Sequence, residues 1–308
     1  MRVATIDIGT NTVLLLVAEP GADGGLRSVA ERATITRLGQ GVDRSGRLAP
    51  EAIARTVSCL ADYSSVVREL GAERVAVVGT SAMRDAEGGE EIRAVVRARL
   101  GVEARVISGD EEARLTFRGS LGGLPVGEQE HAVFDIGGGS TEVVLGRLEH
   151  GRPVISWARS FDVGSVRLTE RHGEDRHAIE QSARDAFASV PPLPGAGTPV
   201  GIAGTMTTLA AVAMGLAPYD GARVHGHEMS RHDLEAVLAR LAALDVDARR
   251  RVPGMEPKRA DVIVAGGVIA VALLTRWAAG SVRISDRGVR WGLAEELAAE
   301  GALVGSIG

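Results

Sequence analysis

The chain carries one short motif twice, and this repeat constrains the fold more than any other feature of the sequence. The segment from Ile6 to Thr12 matches the segment from Phe134 to Ser140, so that Asp7 and Asp135 are 128 residues apart. Each copy has an apolar run that ends in Asp-Ile-Gly, then small polar residues, then a second apolar run. Such a repeat indicates a duplicated structural unit. We therefore predict two related halves with a central cleft between them.

Local patterns predict a similar series of strands at the start of each half. In the first half, strands are expected over residues 2–7, 12–19, 26–36, 74–78 and 104–107. Helices are expected over residues 50–70, 90–100 and 110–120. In the second half, strands are expected to begin again over residues 132–136, 141–148 and 153–161. This order predicts an α/β fold with mixed sheets flanked by helices.

A glycine-rich stretch over residues 121–127 is the best candidate for a linker. We place the first domain at residues 1–122 and the second at 123–287. The C-terminal helix, at about 288–308, is expected to pack back onto the first domain.

Composition excludes several functional classes. A net charge of −5 and only 3% aromatic residues argue against nucleic-acid binding. The longest apolar run, residues 262–274, is shorter than the ~20 residues of a membrane-spanning helix, so no membrane partner is expected. Cys59 is the only cysteine, which excludes an internal disulfide and favours a cytoplasmic protein.

Both copies of the motif predict phosphate-binding turns. Glycine and small hydroxyl residues leave backbone N–H groups accessible, and such turns bind phosphate oxygens. The predicted phosphate-binding residues of the two turns are Gly9, Thr10, Asn11 and Thr12, and Gly137, Gly138, Gly139 and Ser140. A purely structural turn is the alternative for one copy, but it explains two equivalent copies poorly. Neither turn has the sequence of a P-loop or of a dinucleotide-binding loop.

A third phosphate-binding candidate is Gly204-Thr205, where a strand is expected to end at Ala203 and a helix to begin near Thr205. The N–H groups and the positive dipole end of that helix would face an anion. Simple N-capping by Thr205 is the alternative. Asp7 and Asp135, at the ends of the strands before the two turns, are candidate ligands for a Mg²⁺ ion that bridges to phosphate.

Seven segments of the chain, in order, resemble the signatures of the Ppx/GppA phosphatases. They include Gly79 to Ala86, Ile107 to Leu115, Gly204 to Leu209 and Ser285 to Gly288, besides the repeated motif. The resemblance implies duplicated domains of the actin-like ATPase (RNase H-like) fold. It also implies hydrolysis of the terminal phosphate of inorganic polyphosphate, guanosine pentaphosphate, or both, with Mg²⁺ or Mn²⁺.

The resemblance assigns roles to two further residues. Glu112 matches the catalytic base that activates water, and Arg84 matches an arginine that contacts phosphate and stabilises charge in the transition state. Taken alone, Glu112 is also explained as a helix-terminal charge and Arg84 as a surface residue. Glu111 is expected to be a local helix charge, and Glu142 is a further candidate Mg²⁺ ligand.

Several alternatives remain open at this stage. An ATP-dependent kinase of the same fold needs an aspartate that orients the acceptor, and none is identified. A non-catalytic sensor that binds guanosine tetraphosphate or polyphosphate is disfavoured, because every candidate catalytic group is retained. The chain is expected to be the short, two-domain form of the family, and the sequence leaves open whether it forms a homodimer.

Overall fold

The two copies of the repeated motif lie on two separate mixed sheets. The computed structural model describes residues 1–21, 25–195 and 197–304. The chain divides into unit 1, which is Met1–Gly119 together with the C-terminal segment from Val289, and unit 2, which is Ser120–Gly288. These limits lie within three residues of the domain boundaries expected from the sequence.

Unit 1 is built on strands β1 (Val3–Ile8), β2 (Thr12–Pro20), β3 (Leu26–Ile35), β4 (Arg74–Gly79) and β5 (Ala104–Val106). Their order in the sheet is β3-β2-β1-β4-β5. The first three strands are antiparallel neighbours, whereas β1, β4 and β5 run parallel. Every residue of β1 is buried, as expected for a central strand that is covered on both faces.

Unit 2 is built on strands β6 (His131–Ile136), β7 (Thr141–Glu149), β8 (Arg152–Phe161), β9 (Val200–Ile202), β10 (Glu228–Ser230) and β11 (Ser281–Ile284). Their order is β10-β11-β9-β6-β7-β8. Again three antiparallel strands, β6 to β8, are followed by parallel pairings of β6 with β9 and of β9 with β11. The two sheets therefore share one topology, to which unit 2 adds β10 at its edge.

The helices include those that the sequence analysis expects over residues 50–70, 90–100 and 110–120. They are α1 (Val42–Ser45), α2 (Pro50–Glu69), α3 (Ser81–Asp85), α4 (Glu90–Leu100), α5 (Gly109–Leu121), α6 (Ser165–His172), α7 (Arg176–Phe187), α8 (Ala203–Met214), α9 (Gly221–Val224), α10 (Arg231–Ala242), α11 (Val246–Arg250), α12 (Ile263–Arg276) and α13 (Val289–Val304). Among the described residues, no helix has both the length and the apolar character that crossing a bilayer requires.

The sheet of unit 1 is covered by helices on both faces. On one face, Ile6 and Leu15 pack in a core with Leu60 and Tyr63 of α2. On the other face, Trp291, Ala294 and Leu297 of α13 pack against Val3, Leu16 and Ala18 of β1 and β2. Cys59 is buried in the first of these cores, and burial raises the pKa of its thiol.

Unit 2 encloses a fully buried arginine, Arg249 of α11. Its Nε donates to the carbonyl of Leu241 at 2.7 Å, and its two terminal nitrogens contact the carboxylate of Glu174 at 2.5 and 3.2 Å. Nη1 also contacts the carbonyl of Ala260 at 3.4 Å. A buried charge is tolerated only when it is paired and hydrogen-bonded in this way. Arg249 thus joins three segments of unit 2.

Candidate active site

The first predicted phosphate turn closes the hairpin between β1 and β2. The N–H of Gly9 donates to the carbonyl of Thr12 at 3.1 Å. The segment after β3 supports the turn from behind, because the N–H groups of Thr36 and Arg37 donate to the carbonyl of Asn11 and that of Gly39 donates to Thr10. The carbonyl groups of Thr10, Asn11 and Thr12 are therefore occupied by the protein itself.

Asn11 lies in this turn with its side chain almost wholly buried, at 6% exposure. Within the described residues, neither its amide nitrogen nor its amide oxygen has a hydrogen-bond partner. Buried polar groups are nearly always hydrogen-bonded in native proteins. Asn11 is therefore suited to bind a water molecule or a ligand oxygen at the turn.

Arg84 and Glu112 meet in unit 1. Arg84 is on α3, which follows β4, and Glu112 is in the first turn of α5, which follows β5. Nη1 of Arg84 donates to Oε2 of Glu112 at 2.9 Å and to the carbonyl of Ile107 at 3.1 Å. The side chain of Glu112 is 10% exposed. The guanidinium balances the charge of a buried carboxylate and fixes its position.

Glu111, the neighbour of the predicted base, has a different environment. Its Oε1 pairs with Nη1 of Arg105 at 3.0 Å, and the Arg105 side chain is 55% exposed. A pair of this kind at the surface has only a local electrostatic role. The two adjacent glutamates therefore differ in burial and in the exposure of their arginine partners.

The predicted residues of unit 1 gather at one edge of its sheet. Because β1, β4 and β5 are parallel, their carboxyl ends lie at the same edge, which is where α/β proteins bind ligands. The N–H of Thr80 donates to Ile8 at 3.2 Å, and that of Ile107 donates to Gly79 at 3.1 Å, which keeps the three strand ends together. Asp7 precedes the turn at this edge and is buried, at 8% exposure.

The second predicted phosphate turn has the same closing bond. The N–H of Gly137 donates to the carbonyl of Ser140 at 3.0 Å. Its supporting segment begins at Gly164, where a Cβ atom would lie 2.3 Å from the carbonyl oxygen of Gly138. Glycine is needed there because the two backbones approach so closely. The N–H groups of Ser165 and Val166 at the start of α6 donate to the carbonyls of Gly137 and Gly138, respectively.

Asp135 and Glu142 are directly opposite each other on β6 and β7. Ser160 of β8 completes this row, and its hydroxyl donates to Oε1 of Glu142 at 2.7 Å. Two carboxylates at opposite positions repel each other, and a cation bound between them would relieve that repulsion. Within the described residues no group of three or more potential ligands forms a metal cluster. Mg²⁺ in phosphate-processing sites is commonly held by only one or two carboxylates together with substrate, so this pair fits the ion.

The third predicted loop differs in detail from the expectation. Helix α8 begins at Ala203, not near Thr205, and Ala203 has a positive φ of 63°. The hydroxyl of Thr205 does not cap the helix; it donates to the carbonyl of Ile136 at 3.0 Å and is buried. Thr205 therefore ties α8 to the end of β6. Whether Gly204 and Thr205 also bind phosphate through their backbone stays a prediction.

Two arginines at these loops did not enter the predicted site. The guanidinium of Arg259 lies over Gly204, where a Cβ atom would be 2.1 Å from its Cζ. Arg167 of α6 donates from Nε to the carbonyl of Gly139 at 2.6 Å. Arg259 lies in residues 259–263, one of the seven segments that resemble the family, whereas Arg167 lies in none of the seven. The expectation that all three loops border one cleft concerns both units and stays a prediction.

Comparisons with known proteins agree with the resemblance. The model of the Ppx/GppA phosphatase family matches residues 16–300. Exopolyphosphatase 2 of Mycobacterium tuberculosis is 43% identical over 294 residues, which cover 89% of this chain and 90% of that protein. The crystal structure of the Aquifex aeolicus member of the Ppx/GppA family is 33% identical with a TM-score of 0.80, and the match covers 97% of this chain and 98% of that one.

A third similar protein has a crystal structure as well. This exopolyphosphatase from Cytophaga hutchinsonii is 24% identical with a TM-score of 0.84, and the match covers 97% of this chain and 98% of that one. At that identity the likeness concerns the fold alone. Together with the shared topology of the two sheets, the matches confirm the predicted α/β fold with duplicated actin-like domains.

Proposed function

The chain belongs to the Ppx/GppA phosphatase family and is a hydrolase of phosphoanhydrides, and on that premise we propose that it removes the terminal phosphate of inorganic polyphosphate, guanosine pentaphosphate, or both, with Mg²⁺. The 43% identity with a protein named exopolyphosphatase supports polyphosphate as a substrate. The observation that carries the proposal is the buried carboxylate of Glu112, held by Arg84 at the carboxyl edge of the sheet.

In this proposal Glu112 orients the attacking water and accepts its proton. Phosphoryl transfer leaves little for a protein to do beyond placing the nucleophile and neutralising charge, so a fixed carboxylate is a suitable base. The bonds of Arg84 to Glu112 and to the carbonyl of Ile107 hold the carboxylate in place. A guanidinium also carries five donors, and Arg84 is proposed to use others for the transferred phosphate.

The two glycine turns are each proposed to bind phosphate groups of the substrate. Their carbonyls are occupied by bonds from the segments after β3 and β8, which support the turns from behind. The N–H groups within the turns are then the ones suited to anions. The amide of Asn11, which has no hydrogen-bond partner among the described residues, adds a neutral donor at the first turn.

Asp135 and Glu142 are the residues that would hold Mg²⁺, and Asp7 is a further single ligand. A bound Mg²⁺ would neutralise charge on the phosphate oxygens as the bond breaks. Register supports the first pair, because the two carboxylates are opposite each other, whereas Asp7 is opposite the apolar Leu14.

A phosphate-release assay tests the function. The purified chain is incubated with long-chain polyphosphate, triphosphate, guanosine pentaphosphate and ATP, each with Mg²⁺ and after exhaustive treatment with EDTA. We expect release from polyphosphate or guanosine pentaphosphate only with the metal. Full turnover after EDTA treatment would contradict the metal proposal. Binding without turnover would instead support a sensor, and transfer of phosphate from ATP to an acceptor would support a kinase.

A further inference from the structure

Arg167 is attached to the second glycine turn at two points. Its backbone N–H donates to the carbonyl of Gly138 at 3.0 Å, and its Nε donates to the carbonyl of Gly139 at 2.6 Å. The second bond fixes the plane of the guanidinium beside the turn. It uses one of the five N–H donors of the group. An arginine bound in this way brings a positive charge to a turn whose glycines carry no side chains.

The first turn is also supported by a bond from a backbone N–H group. In unit 1 the N–H of Gly39 donates to the carbonyl of Thr10 at 2.8 Å. Gly39 lies in the segment after β3, as Arg167 lies in the segment after β8. Gly39 supports the first turn through its backbone alone, because it has no side chain to contribute.

The two turns also distribute their side chains in opposite ways. A Cβ atom on Gly39 would lie 2.3 Å from Cγ2 of Thr10. In the first turn the side chain therefore belongs to the turn itself, and Gly39 of the supporting segment has none. In the second turn Gly138 is bare, and the supporting segment provides Arg167 instead. Arg167 thus brings a side chain to a turn whose glycines carry none.

One acidic neighbour of Arg167 is an exposed carboxylate. Oδ1 of Asp162 is 3.6 Å from Nη2 of Arg167, and the Asp162 side chain is 87% exposed. An exposed carboxylate at that distance forms a weak pair that a multivalent anion can outcompete. The Arg167 side chain is 17% exposed, so water screens its charge only partly. Guanidinium groups match the geometry of phosphate oxygens with paired donors.

We propose that Arg167 is a substrate-binding residue, and that its guanidinium contacts a phosphate group held on the Gly137–Ser140 turn. The inference rests on the proposed function in that the anion is a phosphoanhydride. It adds to that function a cationic contact on unit 2, in addition to Arg84 on unit 1.

The test compares Arg167→Met, Arg167→Gln and Arg167→Lys with the control Arg171→Met. Arg171 lies one turn further along α6 and is exposed, so its substitution removes the same charge from the same helix. The measurements are kcat and KM with polyphosphate at several salt concentrations, and thermal unfolding. Gln can still donate to the carbonyl of Gly139 but carries no charge, whereas Lys keeps the charge.

Losing a charged hydrogen bond to phosphate is expected to raise KM by about 10- to 100-fold in Arg167→Met. Arg167→Gln should resemble Met, Arg167→Lys should recover part of the loss, and Arg171→Met should resemble the wild type. The increase of KM with salt should also become shallower in the Met and Gln variants, because one ionic contact is missing. A loop-positioning role alone would not change this salt dependence.

The proposal is overturned if Arg167→Met keeps the wild-type KM and salt dependence, or if Arg167→Gln restores both. If one variant fails to fold, the remaining two and the control still decide the result. Direct binding of polyphosphate, measured by calorimetry with the same variants, separates this proposal from the function. Loss of binding in Arg167→Met would support the contact even if the wild type released no phosphate, and unchanged binding would refute it.

Discussion

The two units share a sheet topology and a turn geometry, but their equivalent rows of side chains differ in chemistry. Across β1, β2 and β3 the row at the end of the hairpin is Asp7, Leu14 and Ala33. Across β6, β7 and β8 the equivalent row is Asp135, Glu142 and Ser160. Unit 2 therefore presents two carboxylates and a hydroxyl where unit 1 presents a single carboxylate.

Unit 1 has its own specialised pair, Arg84 and Glu112, on the helices that follow β4 and β5. In unit 2, β9 leads instead into α8, where Thr205 is bonded to the backbone of Ile136. The backbone of the repeat thus sets where groups lie, at the carboxyl edge of each sheet. The side chains differ between the copies, and we propose that unit 1 activates water and that unit 2 holds the metal, with Asp7 as a further single ligand.

The sharpest test of this division is Glu112→Gln. The amide keeps the size of the side chain but cannot accept a proton, so we expect kcat to fall by ~10²–10⁴-fold with nearly unchanged KM. Steady-state phosphate release with polyphosphate measures both constants. Glu111→Gln is the matched control, and its kcat should stay close to that of the wild type because Glu111 pairs with Arg105 near the surface.

Two outcomes would change the assignment. If Glu111→Gln were inactive and Glu112→Gln active, the base would be the neighbouring residue. If both variants kept their activity, the water would be activated elsewhere, and the carboxylates of the proposed metal site would become the leading candidates.

Glu142→Gln tests the other half of the comparison. We expect the Mg²⁺ concentration for half-maximal activity to rise by about tenfold or more, because Mg²⁺ prefers charged oxygen ligands. A Mg²⁺ titration of initial rates measures this. Glu149→Gln, on the same strand but 48% exposed and paired with Arg147, should leave the titration unchanged. An unchanged titration in Glu142→Gln would remove Glu142 from the metal site.

Much of this architecture could be predicted from the sequence because its signals are local. The repeat of Asp-Ile-Gly fixes the two hairpins, and α4 was predicted with its observed bounds because charged and apolar residues alternate at helical spacing before Gly101. The distinction between Glu111 and Glu112 came from the family resemblance. The structure adds the physical difference, a buried pair for one and a surface pair for the other.

The features that sequence could not supply depend on contacts between distant segments. Arg167 acts on a turn 28 residues away in the chain, and nothing in its own segment indicates this. The start of α8 was misplaced because Ala203 has a positive φ, which propensity does not favour and which tertiary contacts impose. The short helix α3 was missed because five residues are too few for a periodic pattern.

Arg249→Met tests whether unit 2 depends on its buried arginine. The variant loses the bonds to Leu241, Ala260 and Glu174, and we expect the free energy of unfolding to fall by about 2–3 kcal/mol. Urea unfolding measures the change. Arg250→Met is the control; its pair with Asp247 is exposed, so its stability should change by less than about 0.5 kcal/mol. Equal losses in both variants would contradict a special role for Arg249.

The smallest expected effect is the pH dependence that comes from Glu174. Its hydrogen bond with Arg249 holds the pKa of this carboxyl below the ordinary value of 4.5. The unfolded chain therefore binds a proton at higher pH than the folded chain does. The stabilisation is complete above about pH 4.5 and is lost as the pH falls through the lower, folded pKa. Glu174 is 55% exposed, so the effect should be modest.

Urea midpoints between pH 3 and 7 should fall less steeply with acid in Glu174→Gln than in the wild type. A matched substitution of Glu180, which is on α7 and pairs with Arg184 at the surface, should leave the slope unchanged. If Glu174→Gln kept the wild-type slope, the pair with Arg249 would contribute nothing to the acid sensitivity of unit 2.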